Sequence, residues 1–565
     1  MIEARHFTNS RIYVVGAIEM PIHSVFSILD QAFYLYWGHC FVLTIALCSV
    51  VLCAEKLTQW GPPMFFRLPL TLAKIVTNRP HPILWKVVLL VAFGHFILYL
   101  AAPNFRDAGE PTMPLLAANL LNGDSVYGSL HDGSEIVGSN YGPLIFLLQA
   151  IALWIHPTLI SSKLAGMLFG VASLACMFAV ARDITHSNAD ALAASALFVA
   201  MVSFYEYFWF WNRPDSVLIA IAACACLLHS RLAPMHVLIS VGLLAGLAIN
   251  LKLFGAMYLL PFAIAAASQL TVSRLSKAVI AGGILFIGSV AFPFFMKGIN
   301  IVPYIENILI MRNQGVILWG IYPTFWYGAL ILLFPLVNYY THKVSHENKV
   351  LMISLVFAMA VTALATLKPG AGAGYLMSFV PTAIYLGLRI RQSDEALSPG
   401  NAGNVLPALA VCVLLGAFPI CLYSCVRMST QLWHGREELA KRSELRELFL
   451  RFPQAQMGHG DGPANSADEY HRSQRAFLGQ STLFDYVNYA DQRKAGLGTE
   501  RVVSLLQDCR IPAWIFARSG GRFTGQAYDI ELFDEDVRRQ FETNYRPVYA
   551  GRFYEVWNCR ATEAR

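Results

Sequence analysis

Two carboxylates stand close to the end of an apolar segment. Residues 91–103 read VAFGHFILYLAAP, and the residues that follow, NFRDAGE, contain Asp107 and Glu110. A carboxylate within hydrogen-bond reach of a hydroxyl can take its proton as a new bond forms, so either acid is a candidate general base. If both lie on one helical turn, they can share a proton or a divalent ion. Solvation of a polar loop is the alternative that needs no chemistry.

Charged residues also occur at the ends of other apolar segments. FYEYFWFWNRPDSVLIAI brings Arg213 and Asp215, GLAINLKLFGAMYLLP brings Lys252, and TLKPGAGAGYLMSFVP brings Lys368. A charged side chain near hydrocarbon costs about 2.5–3.5 kcal/mol on insertion scales. Several such charges at one face of a membrane therefore predict a wet functional cavity. Because both signs are present, structural ion pairs are the alternative.

The cations are suited to an anionic group such as phosphate. The guanidinium fork of Arg213 matches phosphate oxygens, and Lys252 and Lys368 each supply a point charge. Gly370 and Gly372 could expose backbone N–H groups as an anion nest, or they could form a flexible turn or a close helix contact.

Two other side chains are candidates for contacts with substrate. Asp215 follows the NRP turn, which could equally start a helix in which Asp215 is buried against Arg213. His131 precedes Asp132 and could act as a base or in a metal pair, whereas a loop histidine is often only solvated.

The elements that position these residues are predicted to be membrane helices. The chain of 565 residues is 56% hydrophobic and 14% charged, whereas soluble domains carry roughly 25% charged residues. A helix needs about 20 apolar residues to cross the hydrocarbon core, and such runs recur along most of the chain. The pattern predicts an all-α polytopic protein of about 12 spans, near 37–54, 84–102, 159–181, 190–210, 215–230, 233–250, 252–268, 278–296, 316–339, 349–366, 375–390 and 404–425.

Lys and Arg residues predict the orientation of these spans. Basic loops alternate with acidic or mixed ones, and by the positive-inside rule the basic side is cytoplasmic. Loop 103–142 carries five acids against Arg106 alone, so it is predicted to face the periplasm or an equivalent outer compartment. The loops alternate in this way only if PLIFLLQAIALWI (143–155) does not cross the membrane. The segment is too short to span the bilayer comfortably, so it is predicted to lie at the membrane interface or to enter and leave the bilayer on the same side.

The two ends of the chain differ from this core. Residues 1–83 are predicted to form an N-terminal extension with one span and a basic cytoplasmic loop, and residues 84–428 the membrane core. Residues 429–565 are polar and predict a small α/β domain outside the cytoplasm, with WHGREELAKRSELRELFLRF and TERVVSLLQDC as helices, IPAWIFAR as a strand and YRPVYAGRFYEVW as a hairpin. Cys509 and Cys559 could pair there or remain two buried thiols.

The order of these features resembles the GT-C superfamily of integral-membrane glycosyltransferases, in particular the bacterial branch related to protein mannosyltransferases. That branch has an acidic motif in a large first outer loop, then A-x-x-L-x-x-G-x-x-x-Y and a short aromatic-Pro motif. The counterparts here are DAGE (107–110), AANLLNGDSVY (117–127) and SNYGPL (139–144), and RPD (213–215), Lys252 and the glycines of 370–374 are also similar. The family often has adjacent Asp-Glu, whereas these two acids are three residues apart.

The resemblance implies a membrane glycosyltransferase that moves a sugar from a polyprenyl-phosphate donor to an outer acceptor (glycan, lipid or protein) by inverting displacement. The implied base is Glu110, with Asp107 as runner-up. Donor phosphate contacts are then expected from Arg213, Lys252, Lys368, Gly370 and Gly372, and further substrate contacts from Asp215, Tyr141 and His131. No metal ligands are assigned, although Mg²⁺ or Mn²⁺ would suit oxygen ligands. The expected location is the inner membrane with the site facing the periplasm. A polytopic transporter or lipid flippase, or a non-catalytic assembly subunit, is the alternative.

Overall fold

A computed structural model describes most of the chain. The described residues are 82–107, 109–131, 135–368, 371–395, 405–433, 435–460, 471–527 and 530–563. The predicted N-terminal extension with its span 37–54 lies outside the described residues, and so does Gly370.

The membrane part of the described chain is helical, as predicted. Its helices are α1 (Pro82–Ala101), α2 (Thr112–Asn122), α3 (Leu144–Ile155), α4 (Leu159–Thr185), α5 (Asn188–Val202), α6 (Pro214–Arg231), α7 (Pro234–Ile249), α8 (Leu260–Ala267), α9 (Val272–Ala291), α10 (Ile301–Ile310), α11 (Ile321–Thr341), α12 (His346–Ala365), α13 (Val380–Glu395) and α14 (Val405–Trp433). Short 3₁₀ segments, among them Gly255–Tyr258 and Ala373–Phe379, join some of these helices.

Within the described residues, eight segments are long and apolar enough to cross a membrane. They are Leu159–Thr185, Asn188–Tyr205, Pro214–Arg231, Val272–Phe295, Ile321–Thr341, His346–Ala365, Ala373–Gln392 and Val413–Thr430. Trp85–Ala101, Leu144–Ile155 and Pro234–Ile249 are apolar but shorter. A polytopic helical core is therefore confirmed, with fewer full-length spans in this part of the chain than the sequence predicts.

The predicted span 252–268 is wrong as a continuous helix. The chain turns after α7, forms a 3₁₀ turn at Gly255–Tyr258 and then only the eight residues of α8. Gly255 permits this turn, because a Cβ atom there would lie 2.2 Å from the carbonyl oxygen of Ala248. The irregular backbone places Lys252 beside Asp215 instead of on a lipid-facing helix.

The loops separate into two groups at opposite ends of the helices, as the charge alternation predicts. At one end, Val126 N–H donates to Gly298 C=O (2.9 Å), and Gly142 N–H donates to Leu251 C=O (3.0 Å). At the other end, charged residues of different helices pair: Arg231 with Asp183, and Arg389 with Glu347. The first end carries residues 103–142, which we call the acid loop.

Residues after α14 form a small α/β unit, which confirms the predicted fold class. Its elements are α15 (Gly435–Arg451), β1 (Gln456–Met457), α16 (Gln474–Phe477), α17 (Tyr486–Lys494), α18 (Glu500–Gln507), β2 (Ala513–Ala517), β3 (Gln526–Ala527), β4 (Ile530–Glu531), α19 (Glu535–Asn544), β5 (Tyr545–Ala550) and β6 (Tyr554–Cys559). The larger sheet has the order β1-β2-β6-β5, with β1 parallel to β2 and the other pairs antiparallel. Both predicted helices, the strand and the hairpin are present.

This C-terminal unit has cores of its own and a cross-link. Trp514, Phe516 and Phe541 lie in one cluster of buried apolar side chains, and Leu448 and Ile515 lie in another. Cys509 and Cys559 form a disulfide across 50 residues of sequence. Closing a loop of that length in the unfolded chain removes conformational entropy worth about 4 kcal/mol.

The C-terminal unit packs directly against the acid loop. Arg472 donates to the Thr112 hydroxyl (2.6 Å), and the amide oxygen of Asn119 accepts from Thr482 N–H (2.7 Å). Ile136 forms an isolated parallel bridge with Phe484. Because these contacts are direct and partly buried, the acid loop and the C-terminal unit lie on the same side of the membrane.

We expect the acid loop and the C-terminal unit to be labelled together from outside the cell. Cysteines introduced as His131→Cys and Ser519→Cys, both exposed positions, should react with a membrane-impermeant maleimide in intact cells. Arg274→Cys, exposed in a basic loop, should react only after the membrane is opened, because basic loops stay cytoplasmic.

The parent protein, with its native cysteines, gives the background for this labelling. The reverse pattern of labelling would overturn the predicted orientation, and opposite behaviour of positions 131 and 519 would contradict the packing described above.

Candidate active site

Glu110 is fully buried where α1 ends, and its carboxylate organises the start of the acid loop. Oε1 accepts from the backbone N–H groups of Arg106 (2.8 Å) and Asp107 (3.1 Å). Oε2 accepts from the Tyr99 hydroxyl. Three hydrogen-bond donors therefore point at the Glu110 carboxylate, and these bonds hold the backbone of Asp107 in place.

Two more residues close this arrangement, Lys163 in α4 and Asn212 just before α6. The ammonium group of Lys163, buried in α4, donates to the carbonyl oxygens of Tyr99 (2.7 Å) and Ala102 (2.8 Å). The last carbonyls of a helix have no partner within the helix, so Lys163 caps α1 at the point where the acid loop begins. The amide of Asn212 donates to the Glu110 carbonyl oxygen at 3.3 Å.

The environment of Glu110 also changes its acidity. Burial raises the pKa of this carboxyl group to about 7, although the hydrogen bonds from Tyr99 and from the Arg106 backbone oppose the shift.

Asp107 is partly open, with its side chain 35% exposed, and forms an ion pair with Arg213. The Arg213 Nη1 to Asp107 Oδ1 distance is 2.6 Å, and Nη2 of the same guanidinium donates to the Tyr141 hydroxyl. The guanidinium also lies over the Trp211 ring, 4.2 Å from its centroid. Arg213 occupies the N-cap position of α6, and Pro214 starts the helix.

A second ion pair lies beside the first. The Lys252 ammonium is 2.7 Å from Asp215 Oδ1, and both side chains are buried. The same ammonium lies 4.0 Å from the Tyr375 ring centroid and 5.5 Å from the Tyr141 ring centroid. Tyr141 therefore contacts both cations and connects the two pairs.

Gly142 allows the acid loop to approach the Lys252 segment this closely. A Cβ atom at this position would lie 2.3 Å from the Asn250 carbonyl oxygen. Gly142 N–H donates to Leu251 C=O and Leu144 N–H donates to Asn250 C=O, each at 3.0 Å. A glycine is thus required where the SNYGPL motif meets the turn after α7.

The structure brings together five of the residues singled out from the sequence: Asp107, Tyr141, Arg213, Asp215 and Lys252. We call these five the paired-charge cluster. Glu110 lies behind it, bonded to the backbone of Asp107.

The other predicted site residues lie elsewhere. His131 is 83% exposed, with its ring 3.6 Å from Glu306. The ammonium of Lys368 donates to the Arg312 carbonyl oxygen at 3.1 Å. Gly372 lies at the start of the 3₁₀ segment that carries Tyr375. No described contact joins these side chains to the paired-charge cluster.

Several residues of the site were missed by the sequence reasoning. Tyr99 and Lys163 lie inside apolar runs, where only the single lysine of LISSKLAGMLFG could have drawn attention. Tyr375 is one of many aromatic residues near membrane boundaries, and aromatic side chains are common there for reasons unrelated to catalysis. Trp211 is suited to sugar stacking and to the interfacial belt alike, so the sequence leaves its role open.

The carboxylates do not form a site for a divalent ion. Among the described residues, no group of three or more His, Cys, Asp or Glu side chains is placed to hold a metal. Both Glu110 oxygens already accept hydrogen bonds, and Asp107 is engaged by Arg213. The expectation that the two acids share an ion therefore does not fit these residues.

Part of the chain matches a known protein family. Residues 140–296 match the model of the dolichyl-phosphate-mannose-protein mannosyltransferase family. The match includes Tyr141, Arg213, Asp215 and Lys252, whereas Asp107 and Glu110 precede it. None of the curated proteins is similar enough in sequence to match.

Two solved structures are similar to most of the chain. The crystal structure of ArnT from Cupriavidus metallidurans bound to undecaprenyl phosphate is 11% identical, with a TM-score of 0.51 over 84% of this chain and 97% of that chain. The apo state of the same protein is 12% identical, with a TM-score of 0.48 over the same shares. Residues 140–296 are therefore similar in sequence to a family of mannosyltransferases, and the chain shares the fold of ArnT.

Proposed function

We propose that the protein transfers a sugar from a polyprenyl-phosphate carrier to a hydroxyl on an acceptor outside the cytoplasm, with inversion at the sugar carbon. The observation that carries this proposal is the paired-charge cluster. It holds two cations for a phosphate and one partly exposed carboxylate for a proton, all at the end of the spans that carries the acid loop.

We infer that Asp107, rather than Glu110, is the general base. A base must reach the acceptor hydroxyl, and the Asp107 side chain is partly exposed whereas Glu110 is fully buried. Both Glu110 oxygens are occupied by hydrogen bonds from Tyr99, Arg106 and Asp107. Glu110 then acts by positioning the backbone of Asp107.

Arg213 and Lys252 would receive the leaving phosphate. As the acceptor oxygen attacks the sugar carbon, the bond from that carbon to the phosphate oxygen breaks, and negative charge grows on the phosphate. A guanidinium fork and an ammonium group beside it neutralise this charge. The acceptor proton passes to an Asp107 carboxylate oxygen.

The ion pair between Asp107 and Arg213 determines the sequence of steps, because the donor must bind before Asp107 can act as the base. While Arg213 donates a hydrogen bond to Asp107 Oδ1, that oxygen is not available to an acceptor hydroxyl. A donor phosphate competes for Arg213 and releases Asp107 when the sugar is in place. Lys368 and Gly372, in the segment that leads to Tyr375, remain proposed contacts on the phosphate side, and His131 gains no support from its position.

The class of donor is supported by the comparisons. The matched family is described by dolichyl-phosphate-mannose, and the ArnT crystal structure contains undecaprenyl phosphate. Both are polyprenyl phosphates. The identity of the sugar and that of the acceptor are not part of the proposal.

A location in the cell membrane with the site facing outward is supported by two features. Basic loops lie at the end of the helices opposite the acid loop, as the positive-inside rule requires. The disulfide between Cys509 and Cys559 lies in the unit that packs on the acid loop, and disulfides persist in oxidising compartments. Release of sugar from a labelled prenyl-phosphate donor by purified protein distinguishes this function from a transporter or flippase.

We expect Asp107→Asn to lower turnover about 10²–10⁴-fold, the usual contribution of general-base catalysis. The amide oxygen can still accept a hydrogen bond from Arg213, so thermal stability and donor binding should stay near those of the parent protein. The measurement is transfer from a purified polyprenyl-phosphate sugar, with melting in detergent recorded alongside.

Glu110→Gln is the matched control for this variant. In the parent protein, the Glu110 carboxylate accepts hydrogen bonds from Tyr99 and from two backbone N–H groups. Glutamine would place an amide N–H₂ group against some of these donors, so this variant should lower stability as well as turnover. Loss of turnover at full stability in Glu110→Gln, with an active Asp107→Asn, would reverse the two roles. A fully active double variant would exclude both acids from catalysis.

We expect Lys252→Met to lose stability as well as donor use. Removing one partner of a buried ion pair leaves the other charge uncompensated, which costs about 3–5 kcal/mol. The double variant Lys252→Met with Asp215→Asn should recover most of the lost stability, because the buried charge is gone. Its KM for the donor should remain raised. Thermal melting measures the stability, and initial rates over a range of donor concentrations measure the KM. A stable double variant with a normal KM would show that Lys252 is only structural.

A further inference from the structure

Helix α10 has an exposed apolar face that the proposed reaction does not use. Ile301, Val302, Ile305 and Leu309 are between 46% and 59% exposed. These four positions fall on one side of a helix, because residues three or four apart are neighbours on its surface. In a helix of ten residues, this is too much exposed apolar surface for contact with water alone.

The opposite face of α10 holds the acid loop. The Asn307 amide donates to the Gly128 carbonyl oxygen at 3.2 Å, and the Glu306 carboxylate accepts from Leu130 N–H at 3.2 Å. The Tyr304 ring lies 5.1 Å from the Tyr127 ring. These contacts place α10 between the acid loop and whatever covers its apolar side.

The acid loop continues this connection into the active site. The Tyr127 hydroxyl donates to the Tyr141 carbonyl oxygen at 2.7 Å. Tyr141 in turn accepts from Arg213 and lies beside Lys252. The position of α10 therefore affects Tyr141, one of the five residues of the paired-charge cluster, through its contact with Tyr127.

The exposed face of α10 is continuous along the chain with lipid-facing surface. The span Val272–Phe295 ends in Phe295, which is 87% exposed. Only residues 296–300 separate it from α10, and an extended segment of that length reaches at most about 18 Å. After α10, exposed Ile321 and Phe325 begin the next span.

A cation lies where such a helix would meet lipid headgroups. Lys297 is exposed in the short segment between Phe295 and α10. Its ammonium group lies close to Gly123 of the acid loop, on the side on which α10 would meet the headgroups. Lysine side chains at a membrane interface can hold their ammonium groups near lipid phosphates while their methylene groups lie along apolar surface. Both the apolar face and the flanking charge match a bilayer surface that contains anionic headgroups.

We propose that α10 is a membrane-docking helix, with its apolar face in the bilayer interface on the acid-loop side and its polar face anchoring the acid loop. The partner is the lipid surface itself and not the prenyl chain of a donor. The proposal does not depend on the reaction proposed above, and its tests need no turnover.

The first test measures depth in the bilayer. Ile305→Cys and Leu309→Cys, each carrying a fluorophore, are reconstituted in vesicles of phosphatidylcholine and phosphatidylglycerol that contain no polyprenyl lipid. Lipids brominated near the headgroup end of their chains should quench both labels at least twofold. Thr543→Cys, exposed on the C-terminal unit, should not be quenched. Equal quenching at 305, 309 and 543 would overturn the docking proposal.

The second test measures anchoring. Ile305→Asp combined with Leu309→Asp should raise hydrogen exchange of residues 126–130 at least tenfold in the same vesicles. Ile305→Val combined with Leu309→Met keeps the face apolar and should leave the exchange unchanged. Unchanged exchange in the aspartate variant would overturn the anchoring role. If the aspartate variant does not fold, the single-cysteine measurement still decides whether α10 docks.

Discussion

Neutralisation of charge at the edge of the hydrocarbon layer is the constraint on which the site depends. Asp107 is balanced by Arg213, and Asp215 by Lys252, with Tyr141 in contact with both cations. An unpaired charge in such a position is costly, whereas a paired and hydrogen-bonded charge can be tolerated. The helices, the turn after α7 and the glycine at 142 can all be understood as ways of bringing these partners within reach.

The proposed reaction makes use of the same pairing. A phosphate that enters the cluster would replace one negative partner by another, so that the cations stay neutralised while a carboxylate is released. Lys163 and Glu110 hold this arrangement in place, because they fix the end of α1 and the first residues of the acid loop. Fixed surroundings of this kind lower the cost of reorganisation when charge develops.

The sequence predicts the architecture well, because its main signals are long and periodic. Apolar runs locate the helices, and the alternation of basic and acidic loops correctly separates the two ends of the bundle. The helix, strand and hairpin patterns of the C-terminal unit are also found. The failure at 252–268 has a physical cause: the run is apolar enough for a helix, but its backbone turns so that Lys252 can meet Asp215.

Side-chain roles were harder to predict than elements. The spacing from AANLL favours Glu110 as the base, whereas its burial favours Asp107. Spacing along a sequence carries no information on burial. The partners that bury it, Tyr99 and Lys163, come from two different helices. By contrast, the grouping of Arg213, Asp215 and Lys252 follows from charges at one end of the spans. Tyr141 follows from the resemblance of SNYGPL to the aromatic-Pro motif of the family. Residues that act through tertiary contacts leave little trace in a single sequence.

The packing of the C-terminal unit on the acid loop has a consequence for the order of synthesis. Thr112, only two residues beyond Glu110, is held by Arg472, and Arg501 donates to the carbonyl oxygens of Ser129 and Glu135. These contacts join residues that are 360 to 372 positions apart in the sequence. The acid loop is therefore translated long before the residues that support it. Synthesis of the C-terminal unit is the step that completes this support.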